Sequence, residues 1–74
     1  SAWGDRVIGQ LTDTLLDDRQ DFAIRRRIPR ILARCSQQRA VEGLLGALED
    51  PRFEIRFQAS RALDYLHQNN PQLR

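Results

Sequence analysis

The feature that most constrains this chain is its repetition. Phe22-Ala23-Ile24-Arg25 returns 31 residues later as Phe53-Glu54-Ile55-Arg56, and the same offset pairs Arg30 with Arg61 and Leu32 with Leu63. Upstream the offset is 33: it pairs Arg6 with Arg39, Ile8 with Val41, Leu11 with Leu44, Leu15 with Leu48 and Asp17 with Asp50. The shift in offset falls at the stretch Asp17 to Gln20, and a change in length there marks it as a loop between two elements. A period of this size means one supersecondary unit set beside a second copy of itself.

Each copy reads as two helices. Val41, Leu44, Leu45 and Leu48 lie at i, i+3, i+4 and i+7, which is one helical face, and Ile8, Leu11 and Leu15 repeat the pattern. Asp50-Pro51 breaks the helix, since the residue before proline avoids the α region, and Pro51 suits an early position in the next helix. The second helices are predicted from about Phe22 to Cys35 and from about Arg52 to Gln68. Ile24, Ile28, Ile31, Leu32 and Cys35 form the apolar stripe of one; Ile55, Ala59, Ala62, Leu63 and Leu66 form that of the other. No segment alternates with period two, so the expected class is all-α. Pro29 falls mid-helix, where it removes the bond to the Arg25 carbonyl and bends the chain. The 74 residues make a single domain, with repeat one at about 5–35, repeat two at about 39–68 and a frayed tail at 69–74.

The run Ala40-Val41-Glu42-Gly43-Leu44-Leu45-Gly46-Ala47-Leu48-Glu49-Asp50-Pro51, with Ile55-Arg56, Ala59 and Ala62-Leu63, resembles the short HEAT repeat also found in phycobilisome-lyase-type proteins. Copy one departs from that pattern, with Ile28, Pro29 and Ile31 where small residues are usual. The stretch Arg25 to Leu32 also looks like HEAT segments attached to some bacterial nucleotide-transporter-like membrane proteins. The resemblance implies an α-α superhelix, a solenoid fragment of two helical hairpins and about four helices. It also implies that Asp50 with Arg56, and Asp17 or Asp18 with Arg25, are structural, and that the second helices line a concave side.

All basic residues are arginines; there is no lysine. Stepped at about 100° per residue from Ile24, Arg26, Arg27, Arg30 and Arg34 fall together, opposite the apolar stripe. Phe57, Gln58, Arg61 and Tyr65 take the matching angles in copy two. These eight residues are the candidate partner-binding set. Guanidinium forks suit carboxylates and phosphates, and Phe57 and Tyr65 offer flat area at low entropic cost. Two plainer readings stand beside this one. The arginines form a merely solvated face, or Phe57 and Tyr65 pack against a flanking repeat.

Nothing assembles a catalytic set: the one histidine, His67, has no placed nucleophile, and no carboxylate pair shares a recognisable face. One cysteine, Cys35, excludes an internal disulfide and a cysteine-based zinc site. It falls on the apolar stripe, as a structural thiol. No apolar run approaches the ~20 residues that cross a bilayer. The expectation is therefore a non-catalytic, cofactor-free, cytoplasmic interaction or scaffold module, cut from a longer protein, with a membrane-attached parent left open. Its expected partner is an acidic protein or peptide. The alternative is nucleic acid or another phosphate-rich surface, against which the net charge of only +2 weighs. With only two repeats, weak self-association through the open ends is also expected.

Overall fold

The computed structural model describes residues 2–73, so Ser1 and the last residue of the predicted tail, Arg74, lie outside the described residues. The helices are α1 (Ala2–Leu16), α2 (Phe22–Arg25), α3 (Ile28–Leu32), α4 (Gln38–Ala47) and α5 (Phe53–Asn69), and the described residues contain no strand. First helix packs on first, α1 against α4, and second on second, α3 against α5. Each hairpin also closes on itself, α1 against α3 and α4 against α5. The chain is all-α, as its periodicity predicts.

The core lies where these four contacts meet. Leu15, Leu32, Leu44 and Ile55 are wholly buried there, with Ile28 and Leu66 nearly so. Helix α1 approaches α4 closely at Gly43: a Cβ added there would stand 2.7 Å from Thr12 Cγ2. Ala40 and Ala47 are buried on the same helix, and small side chains keep the layer thin.

The predicted helix Phe22–Cys35 is corrected to two short helices. Asp21 caps α2, its Oδ1 accepting from the Ala23 N–H at 2.8 Å. The ladder then lapses because Pro29 has no N–H to give the Arg25 carbonyl. Arg26-Arg27 becomes a tight turn, in which the Arg27 N–H reaches back only three residues, to Ile24 O at 3.1 Å. Pro29 sits in the first turn of α3, where the missing donor costs little. The predicted stripe also changes: Ile28 and Leu32 are buried, Cys35 is half-buried, but Ile24 and Ile31 are 53% and 47% exposed. A constant 100° step assumes an unbroken helix, and the break ends that assumption.

Turns also differ from expectation. Pro51 is not helical; it lies in a turn that Asp50 closes, Oδ1 accepting from the Arg52 N–H at 2.9 Å. The tail does not simply fray. Its Leu73 packs against the core, and the Leu73 N–H donates to Asn70 O at 3.0 Å.

Arg25 is 2% exposed and ties the two copies together. Its Nε and Nη2 donate to the Leu15 carbonyl at 3.0 and 2.8 Å, near the end of α1, where helical carbonyls lack intrahelical donors. Nη2 also pairs with Asp50 Oδ2 of the second copy. The carboxylate partner of Arg25 is thus Asp50, not Asp17 or Asp18. Arg56 does not pair with the Asp50 carboxylate; its Nη1 donates to the Asp50 and Pro51 carbonyls at 2.8 and 3.0 Å.

Candidate functional site

A groove of about 340 Å³ runs between α3 and α5, lined by Arg30, Ala33, Arg34, Gln58, Arg61, Ala62 and Tyr65. Its construction follows from the repeat. Arg61 is the 31-residue counterpart of Arg30, and Tyr65 that of Arg34, so packing α3 on α5 sets equivalent positions side by side. Ala33 and Ala62, both buried, are short enough to leave a trough between the longer flanking side chains. Neither alanine belongs to the predicted set. Their signal in the sequence is that each follows, by one or three residues, a member of that set on the same helical run.

Arg30, Arg34 and Arg61 are all exposed, and among the described residues none has a carboxylate within ion-pair distance. Gln58 is held by Glu54, its Nε2 donating to Oε2 at 2.9 Å. The Tyr65 ring, half-exposed, lines the same groove from α5. Three guanidiniums without counter-ions raise the local positive potential, and low-dielectric walls strengthen it. An entering anion meets forked donors whose charge is not already spent.

Three of the predicted residues fall elsewhere. Arg26 and Arg27 are exposed in the turn between α2 and α3, carried out of line by the break ahead of Pro29. Phe57 does not line the groove. Its ring stacks on Phe53, with centroids 5.9 Å apart and planes 20° from parallel. The Arg61 guanidinium carbon lies 5.7 Å from the Phe57 centroid, within cation–π range, so Phe57 supports Arg61 from the side.

A second hollow, of about 220 Å³, is lined by Val41, Leu45, Leu63, Asp64, Leu66, His67 and Leu73. It is largely apolar, and the returning tail contributes Leu73 to its wall. Among the described residues no group of three or more His, Cys, Asp or Glu is placed to hold a metal ion. Among the described residues no helix is long and apolar enough to cross a membrane. Compared with family models, with curated proteins and with solved structures, the chain gives no match.

Proposed function

We propose that this chain is a non-catalytic interaction module of the HEAT-like helical-repeat kind, whose α3–α5 groove takes an acidic segment of a partner protein. The observation that carries this reading is the convergence of Arg30, Arg34 and Arg61 on one trough, none of them with a carboxylate within ion-pair distance among the described residues. A carboxylate accepts two parallel N–H bonds from a guanidinium, and hydrogen bonds to charged groups contribute about 1.5–3 kcal/mol each. Tyr65 adds a flat surface for an apolar side chain beside the acid. The volume suits one or two ligand side chains, so affinity comes from a short motif. The packing of like helix on like helix supports the repeat-module reading.

The experiment is a calorimetric titration with an Asp/Glu-rich peptide carrying one aromatic residue, with single-stranded and duplex oligonucleotides as parallel arms at two salt concentrations. The expected result is peptide binding that Arg30→Glu or Arg61→Glu weakens at least ten-fold, while Arg6→Glu, on α1, leaves it unchanged. Unchanged affinity in Arg30→Glu and Arg61→Glu would sink the groove as the binding site. Tighter binding of an oligonucleotide, falling steeply with salt, would replace the acidic peptide with a phosphate-rich partner.

A further inference from the structure

The contact that joins the two copies is half-built again at each end of the molecule. At the internal junction, the Asp50 turn meets the first copy in two places. Asp50 Oδ2 takes the Arg25 guanidinium, and the Arg52 guanidinium carbon lies over the Phe22 ring, 4.2 Å from its centroid. The repeat offsets give every member of this junction a counterpart. Arg25 corresponds to Arg56, Phe22 to Phe53, Asp50 to Asp17 and Arg52 to Arg19.

Each counterpart is formed, but its contacts stay within its own copy. The Asp17 turn has the geometry of the Asp50 turn: Asp17 Oδ1 accepts from the Arg19 N–H at 3.0 Å, as Asp50 Oδ1 accepts from the Arg52 N–H at 2.9 Å. What differs is the outward oxygen. Asp17 Oδ2 has, among the described residues, no counterpart of Arg25 in front of it and accepts from Nη2 of Arg19 at 3.2 Å and Nε2 of Gln20 at 3.4 Å, both in its own turn. The Arg19 side chain is 86% exposed, having no ring to lie over. In the second copy Phe53 is 68% exposed; its ring stacks on Phe57 and has the Arg56 guanidinium carbon of its own copy 5.8 Å from its centroid, farther than the 4.2 Å of Arg52 over Phe22. Arg56 holds its own loop carbonyls through Nη1, as Arg25 holds Leu15 O, but among the described residues no carboxylate faces it.

We infer that copies of this chain associate head to tail, the Asp17–Arg19 turn of one copy docking on Arg56 and Phe53 of the next. Asp17 takes the Arg56 guanidinium and Arg19 swings off Asp17 to cover the Phe53 ring, repeating the Arg25–Asp50 and Phe22–Arg52 contacts between molecules. The charges are complementary, and the surface continues the stacking already made inside the chain. The two docking surfaces are unlike, so the contact is heterologous and does not stop at two chains. It involves none of the residues lining the α3–α5 groove.

The test is sedimentation velocity on the full chain from micromolar to millimolar concentration at low salt. The expected result is a weight-average mass that climbs past two chains and drops when salt is added. Arg19→Glu removes one end and Phe53→Ala the other; both side chains are exposed, so the fold is kept, as circular dichroism would verify. Each variant alone should associate at least ten-fold more weakly than the parent chain. Mixed one to one, they retain a single intact junction and should form two-chain complexes that grow no further. A parent chain that stays monomeric throughout, or stops at two chains, would overturn the inference. So would variants that associate like the parent, or a mixture that fails to pair.

Discussion

Arg25 illustrates how one side chain can hold two repeats in register. Its guanidinium has left water, and its donors are shared between the Leu15 carbonyl and the Asp50 carboxylate. Removing one partner of a buried pair typically costs about 3–5 kcal/mol, because the other charge is stranded. A chain of 74 residues has in all roughly 4–11 kcal/mol to lose. Arg25→Met should therefore unfold the protein or lower its melting temperature by more than ten degrees. Arg25→Met with Asp50→Asn should be less damaging than Arg25→Met alone, since Asn keeps the Oδ1 acceptor for Arg52 and carries no charge. Thermal unfolding of the three chains checks this order, and the reverse order would show that Asp50 is not stranded. The pair also sets an acid limit. Burial pushes the Asp50 carboxyl up, but the Arg52 N–H and the Arg25 guanidinium together hold it below the usual carboxylate range. A depressed folded pKa means stability present above the unfolded value, near 3.9, and lost as pH falls through the folded one. Urea midpoints in Asp50→Asn should accordingly depend less on pH below about 4 than those of the parent.

Among the elements, α5 was legible and α2–α3 was not. The prediction from about Arg52 to Gln68 meets a helix at Phe53–Asn69, since Ile55, Ala59, Ala62 and Leu66 keep one unbroken face. In the first copy the same arithmetic goes astray at Ile24 and Ile31, because a proline relocates the break to the residues before it. Pro29 itself signals a bend, but not whether it bends one helix or starts a second. The candidate site inherits this split. Arg30, Arg34, Gln58, Arg61 and Tyr65 lie after the break or on α5 and reach the groove; Arg26 and Arg27 are in the break and do not, and Phe57, although on α5, stacks on Phe53 instead. The α1–α4 contact offers a separate test. The Thr12 hydroxyl is buried there with no hydrogen-bond partner among the described residues, and it would stand 2.8 Å from a Cβ on Gly43. Gly43→Ala should destabilise the chain, although alanine is better than glycine in a helix by about 1 kcal/mol. In a Thr12→Ala background the same Gly43→Ala change should stabilise it. A double-mutant cycle by urea unfolding measures this reversal of sign, and equal effects in both backgrounds would mean the helices are not in contact there.

The whole molecule measures about 31 × 25 × 16 Å, thin enough that the last residues count toward its core. Leu73 covers part of the hollow beside Val41, Leu45 and Leu63. Deleting residues 71–74 should cost about 1 kcal/mol from half-buried apolar area, or roughly 4–8 °C in melting temperature for a domain this small. A melting temperature unchanged by the deletion would show that the tail contributes nothing. At this scale the repeat is fully legible in the offsets of 31 and 33, yet the pairing across it is not. Sequence spacing shows that Arg25 and Arg56 are equivalent, as are Asp17 and Asp50, but which arginine meets which aspartate depends on how one hairpin lies on the other.

The groove draws its charge from guanidiniums alone. A guanidinium does not titrate in proteins, and it offers no amine for acetylation. The charge of this groove therefore has neither an acid–base nor an acylation off-switch. Under the proposed reading, control over occupancy would rest with the partner, through whatever adds or removes negative charge on the entering segment.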